Sequence, residues 1–215
     1  MNTHSPLLPV AATILILSPL HADEQIPGAP KQYPGKPYNG TPALLPGTIQ
    51  AKDYDIAPYG ANNITFSWQG NTTQGPYRTS PDSIGIAEMN SDAVDIDGKS
   101  EKPGQVYIGW TQTGQWMRYT VRVAETGTYI IGAKLAAGAT GAKISFTFTP
   151  NKNTTGPIEI PTTAGHVPNV EVYHVWEKLD HLAEINLTAG LHILTVKVED
   201  VAGLNFATFT FTKKP

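Results

Sequence analysis

The sequence predicts an all-β fold, a two-sheet antiparallel β-sandwich. The 215 residues include 20 Gly and 18 Pro, and so many turn-forming residues favour short strands over a helical bundle. Several short segments alternate apolar and polar residues with a period of two, which gives each strand one face for a core and one for solvent. Hydrophobic residues make up 40% of the chain, and this fraction argues against disorder.

The predicted strands are short alternating segments bounded by turn-forming residues such as the glycine of Glu125-Thr126-Gly127. In chain order they are 48–52, 93–96, 105–110, 115–123, 128–135, 142–149, 170–176, 191–198 and 206–212.

The segment 115–123 shows the pattern clearly. Met117 and Val121 lie on one face of the predicted strand, whereas Trp116 and Arg118 lie on the other. Because the Met117 face is the apolar one, Trp116 is predicted to point away from the core.

The later segments alternate in the same way: 142–149 alternates Ile or Phe with Lys, Ser or Thr, and 206–212 alternates aromatic residues with Thr. One stretch is ambiguous. Between residues 176 and 183 the apolar side chains have helical spacing, so a helical turn remains an alternative there.

The N-terminus predicts export from the cytoplasm. An apolar run at 10–17 is too short to span a bilayer, and it is followed by a small-residue cleavage pattern ending at Ala22. No Lys or Arg precedes the run, which departs from the usual pattern, and a buried strand or helical turn is the alternative. We predict a secretory signal peptide at 1–22, a Pro/Gly-rich leader or linker at 23–47, and one domain at 48–215, located extracellularly or in the periplasm.

Composition excludes several classes of function. Charged residues make up only 15% of the chain and the formal net charge is −3, which argues against nucleic-acid binding. The absence of Cys excludes disulfides, thiolate zinc sites and cysteine nucleophiles. No membrane span, catalytic template, carboxylate pair or metal-ligand spacing among the histidines is found, so we expect no metal site and no enzyme.

Aromatic residues in polar loops point to sugar recognition. Trp110 ends a predicted strand at a loop rim, and Tyr173 is separated from Trp176 by two residues. An exposed ring can cover the apolar face of a pyranose while neighbouring amides and hydroxyls bind its OH groups. The alternative for each ring is a place at the edge of the core, and this is the interpretation we favour for Trp176.

Several motifs occur in one order across the predicted domain. They are Pro46-Gly47-Thr48-Ile49-Gln50-Ala51-Lys52-Asp53-Tyr54-Asp55, Gly75-Pro76-Tyr77-Arg78, Gly114-Gln115-Trp116-Met117-Arg118-Tyr119, Leu187-Thr188-Ala189-Gly190-Leu191-His192 and Gly203-Leu204-Asn205-Phe206. On these motifs, the chain from about Leu45 to Lys213 resembles a family 6 carbohydrate-binding module, a non-catalytic domain attached to polysaccharide-degrading enzymes. The resemblance implies a jelly roll of the galactose-binding-domain-like type.

The resemblance also implies a binding cleft among the loops at one end of the sandwich. Trp110 and Tyr173 correspond to the aromatic rings that hold the sugar between them. Asn205 corresponds to the amide that bonds sugar hydroxyls, and Thr147 to a polar cleft position. His166 is the alternative to Tyr173 as the second ring.

Two further positions of the family are informative. Trp116 corresponds to the aromatic residue of a second cleft, on a sheet face, that some members use. Many members also hold a structural calcium ion, but its ligand positions read Gln50, Lys52 and Ala207 here. Since calcium prefers carboxylate and carbonyl oxygens, we expect that site to be lost and the Lys52 ammonium to replace the ion electrostatically.

The sequence therefore predicts a secreted, non-enzymatic domain that binds a polysaccharide or oligosaccharide. No catalytic domain accompanies it in this sequence, so we expect it to act alone or with a separate polysaccharide-degrading enzyme. A structural or adhesion β-sandwich with a protein partner and a small glycoside hydrolase are the alternatives. An insertion at 79–92 matches nothing in the family and could reshape the cleft or pair with a partner.

Overall fold

The computed structural model describes residues 33–57, 64–67, 77–78, 86–89, 91–201 and 203–215. The predicted signal peptide, the first part of the predicted leader and most of the 79–92 insertion lie outside the described residues.

The described residues form β-strands and one 3₁₀ helix, Ala51–Asp53, with no α-helix among them. The strands are β1 (Ala43–Leu45), β2 (Gly47–Gln50), β3 (Phe66–Ser67), β4 (Ile86–Glu88), β5 (Val94–Asp95), β6 (Val106–Ile108), β7 (Trp116–Val123), β8 (Gly127–Ala137), β9 (Lys143–Thr149), β10 (Asn153–Thr154), β11 (Ile158–Glu159), β12 (Val175–Leu187), β13 (Gly190–Asp200) and β14 (Leu204–Lys213). No helix long and apolar enough to cross a membrane occurs in this part of the chain.

The strands form two sheets that pack as a sandwich. In the first sheet the order is β1-β7-β13-β9-β10, with β3 beside β7 and β11 beside β9. In the second sheet it is β4-β6-β14-β8-β12-β5, with β2 beside β14. The described pairs are antiparallel except β1 with β7 and β5 with β12, which are parallel. The all-β, two-sheet fold predicted from the sequence is confirmed.

Phenylalanine rings fill the space between the two sheets. Phe209 of the second sheet meets Phe146 of the first edge to face, with ring centroids 5.5 Å apart and planes at 84°. Phe211 meets Phe148 in the same way at 5.8 Å and 90°. Alternation along β9 and β14 places these rings inward and leaves the intervening polar residues outside.

A second, smaller apolar cluster lies on the opposite face of the second sheet. Trp176 is buried there against Tyr107, with ring centroids 5.0 Å apart and planes at 71°. Met89 and Ala93, which follow β4 and precede β5, complete its cover. The core position expected for Trp176 is therefore confirmed, although the cluster that buries it is separate from the main core.

The prediction of a strand at 170–176 is wrong for most of its length. The strand that includes Trp176 begins at Val175 and continues to Leu187. Its register against β8 shifts between Leu179 and Ala183. Such a bulge breaks the period of two, which explains the helical spacing of apolar residues in this stretch.

The boundary predicted at Thr48 lies too late in the chain. Ala43–Leu45 forms β1, which pairs with β7 at the edge of the first sheet, and Leu45 is fully buried. Upstream, Lys36 forms an isolated bridge with Ile56. Edge pairing uses backbone groups and requires no long alternating pattern, so the Pro/Gly-rich composition concealed this strand.

Candidate functional site

A cleft of about 560 Å³ lies at one end of the sandwich. Three chain segments form it: the turn after β6, the loop before β12 and the start of β14. Its lining residues are Tyr107, Trp110, Thr111, Gln112, Glu171, Tyr173, His174, Gly203 and Asn205. Three residues predicted from the sequence, Trp110, Tyr173 and Asn205, thus come together from three separate segments.

Trp110 presents its ring at the rim of the cleft. Its side chain is 57% exposed, and its backbone has a φ of 52°, a left-handed conformation that is uncommon for residues other than glycine. The next residue fixes the turn, because the Thr111 hydroxyl donates to the carbonyl of Leu204 at 2.7 Å and accepts from the Leu204 amide at 2.9 Å. An exposed indole held by a strained, anchored backbone is typical of a functional position.

The ring of Tyr173 lies against two glycines. A Cβ atom on Gly138 would overlap Cε1 and Cδ1 of the ring, and one on Gly203 would lie 2.9 Å from Cε1. Gly203 has a φ of 93°, so its backbone also favours glycine. Tyr173 remains 38% exposed, and it presents the rest of its surface to the cleft.

Asn205 links the floor of the cleft to Tyr173. Its side chain is only 5% exposed, and its Nδ2 donates to the backbone carbonyl of Tyr173 at 2.9 Å. A Cβ on Gly109 would come within 3.0 Å of the Asn205 Oδ1, so the backbone just after β6 and this amide pack closely. The NH₂ group of the Asn205 amide therefore holds the backbone of Tyr173.

Charged side chains lie on the Tyr173 side of the cleft. The Glu171 carboxylate accepts from the Tyr173 amide at 2.9 Å, and His174 Nδ1 lies 3.0 Å from Asp92 Oδ2. The hydrogen bond with His174 holds the pKa of Asp92 below its usual range. Burial, followed by the charges of Glu171 and Asp92, raises the pKa of the Tyr107 phenol, so Tyr107 contributes a neutral hydroxyl.

A model of the carbohydrate binding module family 6 matches residues 87–213 of this chain, which is more than half of it. The chain belongs to carbohydrate-binding module family 6. The resemblance inferred from the sequence motifs is confirmed.

Solved structures agree with the fold of this family 6 module. The carbohydrate-binding module of Cellvibrio mixtus lichenase 5A, in complex with cellotriose, is 21% identical, with a TM-score of 0.50 over 79% of this chain and 98% of that one. A β-1,3-glucan-binding family 6 module from Bacillus halodurans is 17% identical, with a TM-score of 0.50 over 80% and 98%.

The fold also occurs within a larger enzyme. A glycoside hydrolase family 43 arabinoxylan arabinofuranohydrolase from Bacillus subtilis is 14% identical, with a TM-score of 0.50, and the match covers 81% of this chain and 28% of that one. A search of curated proteins finds no match.

The structure does not place Thr147 in the cleft. It lies on β9 in the first sheet, where its hydroxyl donates to the Thr154 hydroxyl at 3.0 Å. Thr147 is opposite Thr195 of β13, which is opposite Arg118 of β7. These three residues share the outer face of the first sheet, so this polar position belongs to a different surface from Trp110.

Trp116 lies on that same outer face, as alternation predicts. It is partly exposed, and the Arg118 guanidinium lies 4.4 Å from the centroid of its ring. Arg118 is itself held by a 2.8 Å hydrogen bond from its guanidinium to the carbonyl of Ile64. One face of the indole is therefore covered by a fixed cation.

His166 is exposed in the loop before β12 and is not among the residues that line the cleft. Of the two alternatives for the second aromatic ring, only Tyr173 lines the cleft that contains Trp110.

Two of the three positions that the resemblance assigns to calcium ligands, Lys52 and Ala207, carry no side-chain oxygen. Lys52 places its ammonium 3.0 Å from Asp53 Oδ1 and 3.7 Å from the centroid of the Tyr77 ring. Ala207 is fully buried in the apolar cluster around Trp176. An ammonium and a methyl group offer no oxygen to a calcium ion.

The sequence analysis missed several residues that line the cleft. Tyr107 lies on the face of β6 opposite the main core, and Glu171 and His174 flank Tyr173 in a loop with no periodic pattern. Their proximity in the sequence could have identified Glu171 and His174, because both lie within two residues of Tyr173, the predicted aromatic ring. No local pattern marked Gly203 as a support for that ring.

Proposed function

We propose that this chain is a non-catalytic module that binds a polysaccharide or oligosaccharide in the Trp110–Tyr173 cleft. The observation that carries the proposal is the convergence of two exposed aromatic rings on one open cleft with a buried amide, Asn205, in a member of a carbohydrate-binding family.

The chemistry of the cleft suits a sugar. Exposed rings cover the C–H faces of pyranoses, and the polar groups beside them offer both donors and acceptors for hydroxyls. Gln112 and the neutral phenol of Tyr107 are two of the polar side chains that line the cleft with Trp110. Because such an open site buries little area, we expect a Kd on the order of 10 μM to 1 mM.

The test is affinity electrophoresis and pull-down with a panel of glycans. The panel includes cellulose and cello-oligosaccharides, β-1,3-glucan, xylan and arabinoxylan, chosen from the ligands and activities of the structural neighbours. The variants are Trp110→Ala and Tyr173→Ala, with Trp116→Ala as the control on the outer face of the first sheet.

We expect retardation by one class of glycan that Trp110→Ala and Tyr173→Ala lose and Trp116→Ala keeps. Loss only in Trp116→Ala would move the site to the sheet face. A folded protein that binds no glycan would favour the structural or adhesion alternative, and release of reducing sugar from any substrate would show that the chain is an enzyme.

We also propose that residues 1–22 direct secretion and that the mature protein begins at Asp23, in support of an extracellular or periplasmic encounter with polysaccharide. Intact mass spectrometry of the protein recovered outside the cytoplasm checks this. A retained N-terminal segment, or protein found only in the cytoplasm, would contradict it.

A further inference from the structure

The described end of the 79–92 segment, expected from the sequence to be an insertion, reaches the rim of the cleft through Asp92, although the family model includes this segment from residue 87 onward. The insertion contributes β4, which pairs with β6, and then Met89, which packs with Trp176. Three residues after Met89, the Asp92 carboxylate meets His174 of the loop before β12. The insertion and the loop that carries Tyr173 are therefore joined through one imidazole.

His174 lies between two carboxylates. Its Nδ1 is 3.0 Å from Asp92 Oδ2, and its Nε2 is 3.7 Å from Glu171 Oε2. The imidazolium carries an N–H on each ring nitrogen and can serve both carboxylates, whereas the neutral ring carries only one N–H. Loss of one ring proton from His174 therefore leaves neither carboxylate with a positive partner, and it leaves one of them without an N–H group facing it.

Two side chains hold the backbone of Tyr173, the residue that precedes His174. Glu171 holds the Tyr173 amide at 2.9 Å, and Asn205 holds the Tyr173 carbonyl at 2.9 Å. The His174 carbonyl accepts from Val94 of β5 at 3.0 Å. The position of the Tyr173 peptide thus depends on where the Glu171 carboxylate is held, and that carboxylate faces the His174 ring.

We propose that His174 is a positioning residue for glycan binding: the imidazolium joins Asp92 of the insertion to Glu171 and so holds Tyr173 in the cleft. The proposal rests on the proposed function of that cleft. Its consequence is that glycan affinity falls as pH rises through the range in which imidazole loses its proton, between about 5 and 8.

Among the described residues, the titratable groups that contact this imidazole are Asp92 and Glu171, and the Tyr107 phenol of β6 lies in the same cleft. The pKa of Asp92 is lowered by His174. The stabilising contact of the Asp92 carboxylate with His174 is therefore lost only as pH falls through that depressed pKa. The pKa of Tyr107 is raised, and its phenol therefore stays neutral in the same interval.

The first measurement needs no glycan. NMR spectra of the full chain follow the backbone amide of Tyr173 and the side-chain amide of Asn205 from pH 5.5 to 8. We expect both signals to shift together in the wild type, and to remain flat in His174→Gln and in Asp92→Asn. If the two signals shift with pH in these variants as much as in the wild type, the proposed link from Asp92 through His174 to Tyr173 is overturned.

The second measurement is the Kd for cellohexaose and for laminarihexaose, at pH 5.5 and pH 8. For whichever of the two oligosaccharides binds, we expect the Kd to be about two- to fivefold higher at pH 8 than at pH 5.5. This is the change in affinity that the loss of a partly exposed ion pair would give. His174→Gln and Asp92→Asn should show the weaker affinity at both pH values.

His181→Gln is the matched control. His181 Nε2 lies 3.6 Å from Glu184 Oε1, also three residues along the chain, but on β12 and outside the cleft lining. This variant should keep the pH dependence of the wild type. If the wild type binds glycan equally at both pH values and Trp110→Ala loses that binding, the proposal for His174 is overturned while the proposed function stands. If the wild type binds no glycan at either pH, yet its NMR signals shift together, the result counts against the proposed function.

Discussion

At the scale of single residues, the position of the Tyr173 ring depends on two residues beneath it that have no side chain. Gly138 and Gly203 leave the space that the ring occupies, and any β-carbon there would displace it. Aromatic residues near the surface usually have several rotamers available. Here the two glycines let the ring lie close against the backbone, and the hydrogen bond from Asn205 holds the Tyr173 carbonyl. A side chain that is already held in place loses less entropy when a ligand stacks on it.

Gly138→Ala should weaken glycan binding about three- to tenfold, the equivalent of about 0.5–1.5 kcal/mol of aromatic contact. The methyl group would push the Tyr173 ring out of its position without touching the core. Isothermal titration calorimetry checks the affinity, and thermal unfolding checks that the fold is intact.

The control is Gly127→Ala at the other end of β8. A Cβ there meets only the flexible side chain of Lys213, at 3.0 Å from Cε. Its affinity should equal that of the wild type, and equal loss in both variants would show that the effect of Gly138→Ala is not local to the cleft.

Lys52 is the residue that argues against a structural calcium ion. Its ammonium has an anionic partner, Asp53, and an aromatic partner, Tyr77. We propose that this cation takes the electrostatic role that calcium has in other members of the family.

Calcium should therefore leave the stability of the fold unchanged. The measurement is the Tm in 5 mM CaCl₂ and in excess EDTA at matched ionic strength, and we expect the two values to agree. A Tm that rises with calcium would show that other oxygen ligands hold the ion despite Lys52. A magnesium titration controls for non-specific effects of a divalent cation.

At the scale of elements, β1 extends the domain into a segment of linker-like composition. Leu45 is fully buried, whereas its neighbour Leu44 is 58% exposed. Further upstream, the Tyr33 hydroxyl donates to Asp55 at 2.7 Å and the Asn39 amide donates to Asp53 at 3.0 Å. These contacts hold residues 33–45 against the sandwich.

The two leucines of β1 provide a matched pair of substitutions. Leu45→Ala should lower the free energy of unfolding by about 2–5 kcal/mol, because it leaves a cavity in the core. Leu44→Ala should change it by less than about 0.5 kcal/mol. Urea unfolding measures both, and equal effects would mean that β1 is not packed as described.

At the scale of the whole molecule, the stability of the sandwich depends on rings that bridge the sheets. Phe209 contacts Phe146 across the interface and Tyr119 at 6.0 Å between centroids. The cleft lies at one end of this core, on loops and strand ends. A rigid core beneath binding loops is the usual arrangement in β-sandwich binding domains.

Phe209→Ala should destabilise the protein by about 3–5 kcal/mol, the cost of a large cavity in a close-packed core. Thr210→Ala, on the solvent face of the same strand, should cost less than about 0.5 kcal/mol. Chemical unfolding followed by tryptophan fluorescence checks both. Similar values for the two variants would contradict the facing assigned to β14.

Alternation along the chain was sufficient to predict most of the strands, because the side chains of a strand alternate whatever its partners are. The predicted segments 115–123, 142–149, 191–198 and 206–212 correspond to β7, β9, β13 and β14. Where a bulge interrupts the pairing of β12 with β8, the local pattern misled the prediction.

The residue types of the cleft were also predictable in part. Trp110, Tyr173 and Asn205 were identified because aromatic rings and amides in loops suit sugars and because motifs of a known family fixed their positions. Thr147 was assigned by the same motifs, yet β9 directs it to the outer face of the other sheet. A motif position places a residue on a strand, but the pairing of that strand within its sheet decides on which face of the sheet the side chain lies.

The sequence by itself therefore determined the long strands other than β12, the faces of those strands that point to the core, and the family of this protein. The tertiary structure decided which loops meet. It brought Asp92 to His174 across 82 residues of chain and placed Gly138 and Gly203 under Tyr173. Alternation is a local property of a strand, whereas contacts between loops depend on the order and register of strands far apart in the chain.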